Sequence, residues 1–292
     1  MARTIEAVER VGTAGYVETP AGRIRVWECG AGTPLVFVHG LLTNSLLWRK
    51  VVPTLAEHHR CIVPDWPLGS HPESMRADAD LSPDGLVAVT VAVLDGLGLE
   101  RAVLVGNDTG GALSQLVAAR HSDRVTALVL TNCDAYDNFP PRIFAPLMMA
   151  ARVPGGLAAL AQLLRIRALW RLPVAFGWLA KHPLHPGVVT AWLTPARTDG
   201  GVRRDLAKAL QGIDPRYTLD AARALRSFER PVLLAWAPED RLFPIAHAER
   251  LATELPDATV ERVDDSYTFV PEDQPARLAQ LIAAFVGDRV EA

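Results

Sequence analysis

Cysteine is scarce in this 292-residue chain: Cys29, Cys61 and Cys133 are its three, widely spaced and in no CxxC or His/Cys cluster. That argues against a disulfide framework and a zinc site, and leaves three small residues suited to burial. No run of about 18 or more apolar residues occurs, so a transmembrane helix is not expected. Met1-Ala2-Arg3-Thr4-Ile5-Glu6 leads into no apolar signal segment. The expectation is a soluble, cytoplasmic protein with no membrane partner. A large excess of one charge sign is missing too, and a net charge of -3 gives no case for a nucleic-acid partner.

What is present is enough apolar sequence, 49% of residues with 22% charged, to bury a sizeable core. One main domain with an inserted lobe fits this better than two independent domains. The small net charge hides an asymmetry. Residues 142–215 hold ten Lys/Arg against three Asp/Glu, leaving 20 basic and 30 acidic residues elsewhere.

The chain begins with two stretches of period-two alternation, Gly15-Tyr16-Val17-Glu18-Thr19 and Ile24-Arg25-Val26-Trp27-Glu28, around Pro20-Ala21-Gly22. This predicts an antiparallel hairpin at a sheet edge. Pro34-Leu35-Val36-Phe37-Val38 is a near-continuous apolar run, as in strands covered on both faces, and it ends in His39-Gly40-Leu41-Leu42. A helix is expected from Leu47, a short strand at Cys61-Ile62-Val63, and a helix over 83–97 with Ser82 as N-cap and Pro83 at its first position. Strands over 103–107 and 125–130 enclose a helix that ends near Arg120. Such alternation predicts βαβ units, a mostly parallel sheet with helices on both faces, and catalytic groups at the carboxyl ends of its strands. From 139 to about 215 the pattern is helical instead, rich in Leu, Ala and Trp and broken by Pro and Gly. Strands resume at Val232-Leu233-Leu234-Ala235-Trp236 and Thr259-Val260-Glu261-Arg262-Val263, with a closing helix over 276–286.

The organising stretch is Val103-Leu104-Val105-Gly106-Asn107-Asp108-Thr109-Gly110-Gly111-Ala112-Leu113. An apolar strand meets a glycine-flanked aspartate and leaves it as a helix. A reactive side chain at the apex of so sharp a turn needs neighbours nearly without side chains, which Gly106 and Gly110 supply. The helix N-terminus behind Asp108 favours negative charge.

This stretch resembles the nucleophile elbow of the α/β-hydrolase superfamily, in its aspartate-nucleophile branch of haloalkane dehalogenases and epoxide hydrolases. The serine elbow Gly-x-Ser-x-Gly occurs nowhere in the chain. The resemblance implies an α/β-hydrolase core over 1–133 and 216–292 and a helical cap over 134–215. It also implies oxyanion donors in the backbone N–H groups of Leu41 and Thr109, and an orienting acid at Asp240, with Glu239 and Asp134 as substitutes. In the family a catalytic histidine follows the last strand; the matching position here is read as Tyr267. Two further departures are Thr109, where these enzymes commonly carry Trp, and Leu41, where many dehalogenases hold halide with a polar residue. His39 is assigned no proton transfer, and His71 and His247 sit at no equivalent position.

The implied activity is hydrolysis of a C-halogen, epoxide or ester bond in a small or medium apolar substrate through Asp108. A non-hydrolytic reaction, with Asp108 as base and Tyr267 as acid, is a variant. No metal or organic cofactor is needed by either. The competing reading is a ligand-binding pseudoenzyme that lost turnover with its histidine. A small-molecule partner and a monomeric or homodimeric state are expected in both cases.

Overall fold

The computed structural model describes residues 12–290, so the stretch over 1–6 that was read for a signal segment lies outside it. One eight-stranded sheet carries the molecule: β1 Thr13–Thr19, β2 Gly22–Cys29, β3 Pro34–Val38, β4 Arg60–Pro64, β5 Ala102–Asp108, β6 Val125–Cys133, β7 Val232–Trp236 and β8 Ala258–Arg262. Their order is β1-β2-β4-β3-β5-β6-β7-β8, antiparallel from β1 to β2 and from β2 to β4, and parallel from there on. The hairpin, the mostly parallel sheet and the α/β architecture agree with the sequence reading. β5 is buried at all seven positions and β7 at all five, so helices cover both faces there. Helix Thr109–Arg120 packs on β5 and β6, while Ile245–Glu254 and Pro275–Arg289 pack on β7.

Local chemistry sets the element ends. The Ser82 Oγ accepts from the Gly85 N–H at 3.3 Å and starts the helix Pro83–Gly96, as its sequence position suggests. The helix expected from Leu47 is instead a 3₁₀ turn, Ser45–Trp48, capped by Asn44, and a single helical turn at Val52–Leu55. A helix begins at Pro215, where the Asp214 side chain accepts from the Arg216 N–H at 2.8 Å. It ends at Ala224 and rests on Thr109–Arg120. Cys29 and Cys61 face each other across β2 and β4, and both are free thiols, as is Cys133.

Between β6 and β7 the chain forms the helices Ala145–Ala150, Gly156–Leu163, Pro186–Thr198, Gly200–Gly212 and Pro215–Ala224. Two kinds of contact join this segment to the loops at the sheet's carboxyl edge. At one end the charges are partly exposed: Lys181 Nζ reaches Glu239 at 2.6 Å and Asp265 at 2.9 Å. At the other end they are buried. Asp205 is fully enclosed, accepts from the Met75 N–H at 2.6 Å and meets His71 Nε2 at 3.2 Å. The Gly69 N–H donates to His71 Nδ1, so Nε2 carries the ring proton toward Asp205. Such a contact persists in salt, whereas the Lys181 contacts are open to screening.

Candidate active site

Asp108 stands where β5 becomes a helix, at φ 55° and ψ -134°, a backbone conformation L-residues rarely adopt. Its neighbours explain how the strain is held. A β-carbon on Gly110 would collide with the Val38 carbonyl at the end of β3, and one on Gly106 would run into the first turn of the helix. Asp108 is buried at 7% exposure, and a β-carbon on Gly40 would collide with its carboxylate. The loop after β3 therefore approaches Asp108 with bare backbone.

The carboxyl is pushed up to about 7, chiefly by burial, with the charge of Asp240 adding and the Thr109 N–H bond opposing. Asp134, just past the end of β6, is 1% exposed. Its Oδ2 accepts from Thr109 Oγ1 at 3.3 Å, and its Oδ1 is buried without a hydrogen-bond partner. Burial first, and then the Asp108 charge, hold Asp134 well above the carboxylate range. Asp240, after β7, has a different environment. Its Oδ1 accepts from the Leu242 and Phe243 N–H groups at 2.7 and 3.1 Å, and its Oδ2 from Thr268 Oγ1 at 2.9 Å. Burial nevertheless lifts it to about 6 against those bonds.

The side chain that hydrogen-bonds Asp240 is Thr268, the residue after Tyr267. Thr268 is fully buried, and its carbonyl accepts from Asn107 Nδ2 at 2.7 Å, which ties it to the residue before Asp108. Tyr267 is half-buried, its ring lies under the Arg241 guanidinium at 4.9 Å, and its N–H donates to Asp273. The Tyr267 side chain therefore lies against Arg241 rather than on Asp240. In the sequence, Thr268 directly precedes Phe269, and the family resemblance implies an aromatic residue directly after the histidine position.

A cavity of about 200 Å³ opens over this floor, lined by Leu41, Asp108, Thr109 and Asp134 from the sheet side. The helical segment supplies the remaining wall with Phe144, Met148, Leu164 and Phe176 among others. Leu41 and Thr109 thus share one cavity with Asp108, while Asp240, Glu239 and Tyr267 do not line it. Sequence reasoning ranked Asp134 as a substitute for Asp240; the structure puts both beside Asp108, with only Asp134 facing the cavity. Among the described residues no histidine lines this cavity. His39 is structural: Nδ1 donates to the Gly40 carbonyl, Nε2 accepts from the Trp66 N–H, and burial lowers the ring to about 4. Among the described residues no group of His, Cys, Asp and Glu is arranged to hold a metal.

A family model described as alpha/beta hydrolase fold matches residues 33–275. The chain belongs to that family. α/β-hydrolase relatives of similar length include haloalkane dehalogenase 2 of Mycobacterium tuberculosis, 27% identical over 279 residues, which span 91% of this chain and 92% of that protein. A 2-hydroxymuconate semialdehyde hydrolase from Pseudomonas is 29% identical over 276 residues, 91% of each chain. Among solved structures, the haloalkane dehalogenase DatA from Agrobacterium tumefaciens superposes with a TM-score of 0.80 at 25% identity, covering 97% of this chain and 99% of that one. This α/β hydrolase is an enzyme of the hydrolase class; the bond it cleaves is a matter for its site.

Proposed function

We propose that this α/β hydrolase opens a small or medium apolar epoxide at Asp108, with Asp134 as the proton donor and residues 134–215 as the cap that excludes water. The observation that carries this reading is the buried Asp134 carboxyl on the cavity floor beside Asp108. Two features support an epoxide over a haloalkane, and a third sets the polarity of the substrate. Leu41 and Thr109 offer no side-chain N–H donors for a departing halide. A ring-opened epoxide leaves as an alkoxide, which needs a proton, and a carboxyl kept neutral by burial is suited to give one. The walls are predominantly apolar.

The steps balance without a histidine. Asp108 attacks an epoxide carbon, the C–O bond breaks, and the oxygen takes the Asp134 proton. The product is a hydroxyalkyl ester at Asp108 and a carboxylate at Asp134. Esterification removes the Asp108 charge that held Asp134 protonated, so Asp134 persists as a carboxylate and is available to accept a proton in the second step. It takes a proton from water as the hydroxide adds to the ester carbonyl, with the Leu41 and Thr109 N–H groups as oxyanion donors. The tetrahedral intermediate expels the alkoxide, which takes the proton of the newly formed Asp108 acid. Asp108 is again a carboxylate and Asp134 a carboxylic acid. Asp240, held by three donors, keeps the loop after β7 against the loop after β8.

A panel of aliphatic epoxides, haloalkanes and p-nitrophenyl esters, with Asp108→Ala as control, tests the assignment. Epoxide turnover that Asp108→Ala abolishes is expected, with haloalkanes slower by about 10²-fold or more. Haloalkanes as the best substrates would remove Asp134 as donor. Saturable binding without turnover of any class would favour the pseudoenzyme, a reading supported by the use of the Thr268 hydroxyl on Asp240.

A further inference from the structure

Seven large hydrophobic side chains are exposed among the described residues, and six of them, Met149, Val153, Leu163, Ile166, Leu172 and Val174, fall within one stretch of the helical segment. Three also line the active-site cavity: Leu163, Leu172 and Val174, at 53, 44 and 48% exposure. A residue that lines a cavity and is half exposed stands at its mouth. Ile166 lies between Leu164 and Leu169, both of which line the cavity. The mouth therefore opens through an apolar rim rather than a polar one.

The segment that carries the rim has charges of one sign. From Asn138 to Thr198 there is no aspartate or glutamate and there are seven lysines and arginines. Arg142, Arg152, Arg165, Arg167 and Arg171 are exposed, and none of the five is ion-paired with a carboxylate among the described residues. Apolar side chains interleaved with unpaired arginines match a surface that is apolar inside and anionic outside. A second copy of the chain would bring arginine against arginine and close both mouths. We propose that this face docks on an anionic lipid surface, with Leu163, Ile166, Leu172 and Val174 entering the acyl boundary and the arginines contacting headgroups.

This differs from the expectation of no membrane partner. No helix among the described residues is long and apolar enough to cross a membrane, so the docking is peripheral. It gives an apolar substrate a path from bilayer to Asp108 that avoids bulk water. That consequence rests on the proposed reaction; the docking does not.

Flotation with vesicles of phosphatidylglycerol or of phosphatidylcholine tests the docking on the full chain, independently of turnover. Binding to phosphatidylglycerol in about 0.1 M salt is expected, weakened in about 1 M salt as the Debye length falls from about 10 to 3 Å. Arg165→Glu/Arg167→Glu is expected to reduce partitioning roughly 30-fold or more. Ile166→Ser should reduce it several-fold at unchanged circular dichroism, since its side chain is exposed. Failure to bind either vesicle overturns the proposal, as does binding that both variants leave intact. A stable dimer dissociated by Ile166→Ser, with no vesicle binding, overturns it in favour of a protein contact.

Discussion

The three enclosed carboxyls Asp108, Asp134 and Asp240 differ in what satisfies them, and that difference assigns their protons. Asp240 has three donors, Asp134 has one long bond and a bare oxygen, and Asp108 has the Thr109 N–H. Asp134 is accordingly the acid and Asp240 the carboxylate at neutral pH, while Asp108 and Asp134 titrate as a pair. Thr268 belongs to this set as a donor, since a hydroxyl is no general base near neutrality. Thr268→Val strips one donor from a buried carboxyl and is expected to lower stability by about 1–3 kcal/mol. Tyr267→Phe, under Arg241, is expected to change stability by no more than about 0.5 kcal/mol and to leave turnover in place. Denaturant titration and kcat/KM on the two variants check this. Loss of turnover in a folded Tyr267→Phe protein would return the tyrosine to the site.

Elements were more legible than the contacts between them. The apolar runs of β3, β5, β6 and β7 have no helical period, and each is a buried strand; Ser82 and the Gly106/Gly110 pair announced a cap and a sharp turn. The 3₁₀ turn at Ser45–Trp48 was not legible, because Asp65 Oδ1 accepts from the Ser45 N–H, a contact from a distant strand end. The same limit applies to the site. Asp108 is set at its turn by its own neighbours in sequence, so its place at the strand end was legible. Thr268 is chosen over Tyr267 by Asp240 and Asn107, which lie 28 and 161 residues away along the chain. The basic excess of 142–215 was visible as a count, but not that Asp205 would be buried against His71 while Arg165 and Arg167 face outward around a cavity mouth.

For the whole molecule, a cluster of enclosed carboxyls near one cavity has a thermodynamic sign. Asp108 is at about 7 in the folded state against 3.8 for an unperturbed aspartate, so the folded chain binds this proton more tightly than the unfolded chain. Its contribution is fully present below about pH 4 and is lost as pH rises through about 7, an upper bound on the order of 4 kcal/mol. Asp240, lifted to about 6, acts in the same direction. Asp108→Asn is therefore expected to stabilise the protein above about pH 7 and to flatten, without abolishing, its fall in stability between about pH 4 and 7. Urea midpoints across that range give the comparison; a wild-type stability that rises over the same window would contradict the buried, protonated cluster.

The covalent role of Asp108 is the claim on which the reaction depends, and isotope transfer reads it directly. Many turnovers of an epoxide in water enriched in heavy oxygen, followed by mass spectrometry of the peptide that contains Asp108, report which atom the water attacks. The account predicts heavy oxygen in the Asp108 carboxyl, because water adds to the ester carbonyl, and none without substrate. Turnover that leaves the Asp108 peptide unlabelled, with all the heavy oxygen in the product, would contradict it and make Asp108 a base.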